Sequence, residues 1–201
     1  MIDALFGSKT RVKLLHLFLS NPGKAFYVRE ITRLIDEQIN SVRRELANMT
    51  TVGIVTSDTA DNKLYYEVNQ RYEYYVPLRA IFADEKVPTV SHEQKESSSS
   101  KAWHDTLRAL PGIRIVVLAG ILVKGSTSKV DILVAGDVST ARFKKIVKAA
   151  ETAEGRELNY VTLSYDDFYY RLSVRDRFIA EIITGKCVTL VDEDNILKTT
   201  E

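Results

Sequence analysis

Between residues 39 and 49 the chain arranges Asn40, Ser41, Arg43, Arg44 and Asn48 around a spine of Ile39, Val42, Leu46 and Met49. The spine residues recur at three- and four-residue spacing, so they share one face of a helix and are expected in a core. The opposite face then carries guanidinium, amide and hydroxyl groups, with Ala47 among them and no large apolar side chain. Such a set makes planar hydrogen bonds. Arg pairs in bidentate fashion with guanine or with phosphate oxygens, Asn pairs with adenine, and Ser with either. Glu45 is read as the single acid on this face, where it serves an arginine or a cytosine amino group.

The flanking elements must hold that helix in place. From about Tyr27 to Ile35 a shorter helix is predicted, with Val28, Ile31, Leu34 and Ile35 inward and Arg29 and Arg33 outward. Asp36, Glu37 and Gln38 make the turn between the two helices, and Asp is one of the few residues other than Gly that tolerates a left-handed turn position. Gly53 stops the second helix. Ile54–Thr56 and Lys63–Val68 are rich in β-formers and are separated by the polar run Asp58, Thr59, Ala60, Asp61 and Asn62, which predicts a hairpin with Lys63 near its tip. Lys63 there can meet a phosphate, an approach that Asp58 and Asp61 oppose. Upstream, Arg11–Leu19 is an apolar helix that ends at Asn21, Pro22 and Gly23.

The order helix, helix, turn, helix, hairpin over roughly the first 82 residues resembles the winged helix-turn-helix domains of small prokaryotic transcriptional regulators. The run INSVRRELANMTTVGIV, followed by a ribbon ending KLYYEVN, carries the resemblance. It implies a recognition helix in a DNA major groove, with Arg29, Asn40, Ser41, Arg43, Arg44, Asn48 and Lys63 as DNA-binding residues. The competing reading is a domain of the same shape used for protein contacts, with both arginines merely solvated.

Composition narrows the classes. Twenty-eight Lys and Arg stand against 27 Asp and Glu, a formal charge of +1, so no global basic field draws in nucleic acid and affinity must come from a local patch, helped by a homodimer. The single cysteine, Cys187, allows no internal disulfide, fits a reducing cytoplasmic setting, and reads as a small apolar residue before it reads as a nucleophile. The sequence contains no stretch apolar enough for a membrane span and no signal-peptide pattern at its start, so a cytoplasmic protein without membrane partners is expected.

The segment Tyr72–Phe82, around Pro77, is expected as a helix packed on the first domain. Its tyrosines serve a core or dimer contact, or stack single-stranded bases. Residues 83–100, ending in four serines, read as a flexible linker between domains 1–82 and 101–201. Beyond it, Trp103, Leu107 and Leu110 indicate a helix. Strands at Ile113–Ala119, Val130–Ala135, Leu158–Leu163 and Cys187–Val191 then alternate with helices at Ala141–Ala153, Tyr165–Leu172 and Arg175–Ile183. The fold class is α+β in two domains, the second a small α/β unit.

A strand leading to Gly120, a loop, and SKVDILV at Ser128–Val134 look like the minimal nucleotidyltransferase domain of antitoxin-like and antibiotic-modifying proteins. The resemblance implies a Gly-Ser pair holding nucleotide phosphates and two acids one residue apart gripping divalent metals. Here Ile121 stands at the serine position and Lys129 at that of the first acid, leaving Asp131 alone. Gly125 and Ser126 lie too close to Asp131 to restore the motif, Glu157 is a weak third acid, and Asn159 and Thr162 are no metal-grade substitutes.

Gly120, Lys129 and Asp131 thus mark a degenerate nucleotide site with no catalytic residues, metal or cofactor expected. His16, His92 and His104 are too scattered for zinc. Ser164 is read as a helix cap before Asp166 and Asp167, and Arg171, Arg175 and Arg177 as an anion pocket near Gly120 and Lys124. The expected protein is a homodimeric regulator of double-stranded DNA, with a C-terminal domain that senses a nucleotide, meets a protein effector or assembles the dimer. An active nucleotidyltransferase with a regulatory winged helix and an antitoxin-like adaptor are the other classes carried.

Overall fold

The computed structural model describes residues 6–60, 62–83 and 99–197. The chain divides into two compact units, Met1–Thr89 and Val90–Glu201. Most of the expected linker, residues 84–98 with His92, Ser97 and Ser98, lies outside the described residues, as does Asp61. The linker is shorter than expected at its far end, because Ser99 and Ser100 already belong to a helix.

In the first unit, α1 (Lys9–Leu19) starts where the Ser8 hydroxyl accepts the backbone N–H of Arg11. A two-residue strand, β1 (Phe26–Tyr27), leads into α2 (Val28–Ile35), and α3 (Ile39–Val52) follows. Asp36 ends α2 in the left-handed region at φ 51°, the conformation expected of it. Lys13 of α1 donates to the Ile35 carbonyl at 2.7 Å and meets Glu37 at 2.9 Å, and so ties α1 to the turn between the two helices. Gly53 closes α3 at φ 87°, its N–H returned to the carbonyls of Met49 and Thr50.

The hairpin β2 (Val55–Ala60) and β3 (Lys63–Val68) completes a three-stranded antiparallel sheet ordered β1-β3-β2. The polar run is not a five-residue loop as expected. Asp58 pairs with Tyr65, Thr59 with Leu64 and Ala60 with Lys63, so only two residues separate the strands. The second of them, Asn62, has φ 57°, the sense of φ that a two-residue hairpin turn demands. Cross-strand pairing thus extends through residues whose composition reads as loop, because an exposed ribbon places no apolar demand on its side chains. Then α4 (Tyr75–Phe82) packs on α1, burying Tyr75 and Phe82. Pro77 sits in its first turn, where a missing N–H costs nothing.

The core of this unit gathers Leu14, Leu15, Phe18, Phe26, Ile31, Val42, Leu46, Met49 and Phe82. Three inward or outward assignments from the sequence are corrected. Leu34 is 55% exposed and Ile39 37% exposed, whereas Glu45 is only 3% exposed. Ile31 and Ile35 centre the buried stripe of α2, and Leu34, one residue before Ile35, is rotated about 100° away from it. Ile39 opens α3, so no preceding turn of its own helix covers it.

The second unit consists of α5 (Ser99–Arg108), β4 (Ile113–Leu118), β5 (Ile132–Gly136), α6 (Thr140–Glu154), β6 (Tyr160–Leu163), α7 (Tyr165–Ser173), α8 (Arg177–Ile183) and β7 (Val188–Asp192). Its sheet is ordered β6-β5-β4-β7, with β5 and β6 parallel and the other pairs antiparallel. One face packs Val116, Leu118, Ile132 and Val134 against Trp103, Leu107, Phe143 and Val147 of α5 and α6. The other packs Ile115, Val117, Leu133 and Ala135 against Phe168, Ile179 and Ile182 of α7 and α8. Burial on both faces is why β5 reads as an unbroken apolar run and why β4 is apolar apart from Arg114. Both units mix helices with sheet, and the chain is α+β.

Candidate nucleic-acid interface

Side-chain placement along α3 follows from which residues α1 can cover. Val42, Leu46 and Met49 lie against the core, and Asn40, Arg43, Arg44, Ala47 and Asn48 are exposed, with Ser41 half-buried. Glu45 is not on that face. Its spacing of three from Val42 and four to Met49 places it on the buried stripe, where the Arg11 guanidinium meets its carboxylate at 2.9 Å. Burial by itself would raise the Glu45 pKa, but hydrogen bonds from Ser8 and Arg11 outweigh it and hold the carboxyl below the usual range. Arg11 also donates to the Phe6 carbonyl at 3.1 Å. Glu45 is therefore withdrawn from any cytosine contact and clamps α3 to α1. The outer face of α3 is left without an acid.

Arg29 and Arg33 are exposed on α2, as expected. Lys63 is exposed at the start of β3, its ammonium 5.5 Å from the centre of the Tyr27 ring, and Tyr27 meets Tyr65 edge-on at 6.1 Å. The pairing of Tyr27 with Tyr65 between β1 and β3 creates that platform. Sequence reasoning missed it, since a two-residue strand leaves no periodicity to read.

No family model, curated protein or solved structure matches this chain. The residues themselves carry the functional argument.

In the second unit, Gly120, Lys129 and Asp131, read from the sequence as a degenerate nucleotide site, lie between β4 and β5. Gly120, buried at φ 53°, opens a single 3-10 turn, Gly120–Leu122, and its N–H donates to the Ser126 hydroxyl at 2.9 Å. Lys129 is exposed. Asp131 is wholly buried, with one carboxylate oxygen accepting the Ile121 N–H at 2.9 Å and the other the Asn159 N–H at 2.8 Å. The Asn159 amide donates in turn to the Lys129 carbonyl at 2.9 Å. Asp131 and Lys129 both precede β5, which begins at Ile132 rather than at the expected Val130.

A metal held by two outward carboxylates does not fit this arrangement, because one position bears an ammonium and the other carboxylate faces backbone donors inside the fold. Among the described residues no group of three His, Cys, Asp or Glu side chains can hold a metal ion. Asp131→Asn is expected to cost about 1–3 kcal/mol of stability in chemical unfolding, because an amide NH₂ turned toward one of the two backbone donors leaves it unsatisfied. Adding Mg²⁺ is expected to leave the unfolding midpoint of both proteins unchanged. An unperturbed variant, or a Mg²⁺-dependent midpoint, would contradict the structural role.

The Ser164 hydroxyl accepts the Asp167 N–H at 3.2 Å, as a cap should. Arg171 is bonded to Asp167 at 3.0 Å and lies 4.0 Å from Asp176, so it is engaged by acids and not held open for an anion. Cys187 is half-buried, and burial pushes its thiol pKa up, which keeps it protonated and weakly nucleophilic. No helix among the described residues is long and apolar enough to cross a membrane.

Proposed function

We propose that the chain is a sequence-specific DNA-binding transcriptional regulator whose first unit acts as a winged helix-turn-helix. In this reading α3 enters the major groove, α2 lies across the backbone, and the β2–β3 hairpin is the wing. One observation carries it: the outward face of α3 presents Asn40, Arg43, Arg44, Ala47 and Asn48, and the one acid within the helix, Glu45, is turned into the core. A protein with a formal charge of +1 has no general attraction for phosphate, so a local cationic and amide face is what gives affinity and base choice together.

Arg29 and Lys63 supply phosphate contacts on either side of the recognition helix. A homodimer sets two such helices about 34 Å apart and reads a near-palindromic site. The second unit acts as a noncatalytic sensing or assembly domain in the cytoplasm, its nucleotide or protein effector undefined, with Asp131 a fastening of the fold and not a metal ligand.

The test is fluorescence anisotropy of the full chain on duplex DNA from upstream of its own gene, against a scrambled duplex, at two salt concentrations. Tighter binding to the native duplex that falls as salt rises is expected. Equal, weak binding to both, with a selection from random duplexes also returning nothing, would sink the reading.

A further inference from the structure

Ile39 opens α3 at the protein surface. Its spacing matches Val42, Leu46 and Met49, yet it is 37% exposed at the first position of α3 while those three are buried. The neighbouring Asn40 is exposed, and Arg43, one turn further on, lies on the same edge of the helix as Ile39. An apolar side chain therefore stands at the leading end of the face that otherwise offers amide and guanidinium groups. In a recognition helix the leading residues are the ones that reach base edges. The major groove presents a single apolar group among the four bases, the C5 methyl of thymine.

We propose that Ile39 reads a thymine methyl group, so that the half-site begins with an A·T pair. The assignment rests on the DNA-binding reading and sharpens it. Asn40 matches the N6 and N7 edge of an adenine in that pair or the next, and Arg43 matches a guanine. One helical turn advances 5.4 Å, so the thymine and the guanine fall within about two base pairs of each other. Exposed Ala47 adds no bulk between them and lets α3 sit close to the bases.

The experiment begins with the duplex that the full chain selects most strongly from a random library. Each thymine is replaced in turn by deoxyuridine, which removes the C5 methyl and nothing else, and affinities are measured by anisotropy for the wild-type protein and for Ile39→Ala. The wild type is expected to lose about fourfold at one thymine of each half-site, the worth of one buried methyl. Ile39→Ala is expected to bind the thymine and uridine duplexes alike.

Wild-type binding that ignores every uridine overturns the role of Ile39 while leaving the DNA reading standing. Discrimination that survives in Ile39→Ala overturns it as well and moves the contact to another side chain, Ala47 first. Failure to select any duplex overturns both readings. The uridine series changes only the DNA, so its result stands even where Ile39→Ala is less stable.

Discussion

Arg43→Ala/Arg44→Ala is expected to weaken binding to the cognate duplex by about a hundredfold or more while leaving the unfolding midpoint within experimental error of the wild type. Each well-placed guanidinium contributes about 1–3 kcal/mol of base discrimination, and every 1.4 kcal/mol is tenfold in affinity. Stability is spared because both side chains are exposed, and Arg44, 73% exposed, only approaches Glu45 at 4.0 Å while Arg11 holds that carboxylate at 2.9 Å.

The single variants divide the roles. Loss of an arginine that contacts a phosphate lowers affinity for all sequences alike and reduces the salt slope by about one, whereas loss of an arginine that reads guanine relaxes the preference at one base pair. Anisotropy titrations at several salt concentrations distinguish them. Binding by the double variant within about twofold of the wild type would remove α3 from the interface.

The second large effect concerns the clamp behind that helix. Arg11→Met is expected to destabilise the first unit by about 3 kcal/mol in urea unfolding, because it leaves the Glu45 carboxylate, 3% exposed, without its guanidinium. Glu45→Gln is expected to cost less, since Arg11 keeps 38% of its side chain in solvent and can turn outward when its partner is neutral.

The same pair predicts an acid response. Glu45 has a lower pKa folded than unfolded, so its contribution is present above the unfolded value near 4.5 and is lost as pH falls through the folded value. Acid unfolding of Arg11→Met should therefore begin at a higher pH than that of the wild type, because desolvation then raises the carboxyl against the hydrogen bonds of Ser8 and Asn48 alone. Unfolding followed by circular dichroism between pH 3 and pH 7 would show this, and coincident acid midpoints would argue against the clamp.

The legible parts of the sequence were those governed by short-range periodicity. Val42, Leu46 and Met49 repeat with the helical period, Gly53 and Asp36 supply the left-handed positions that end their helices, and Ser164 caps the helix it precedes. In the second unit the alternation of apolar runs with helical patterns anticipated every strand of the sheet to within about two residues, most directly at β4 and β5, where burial on both faces leaves the strands apolar apart from Arg114. Glu45 was also legible, since its spacing matches the buried stripe. It was misassigned because a carboxylate at a core position needs a partner, and Arg11 lies 34 residues earlier.

Residue type and local spacing set the order of elements, the Val42, Leu46 and Met49 spine of α3, the single cysteine and the near-neutral charge. Long-range packing settled which side chains at the helix ends are covered. It paired Arg11 with Glu45, left Leu34 and Ile39 open to solvent, drew the ribbon through Asp58 and Thr59, and turned Asp131 toward the backbone of Ile121 and Asn159. Each of these outcomes depends on contacts between residues distant along the chain, where desolvation and hydrogen-bond satisfaction outweigh local propensity.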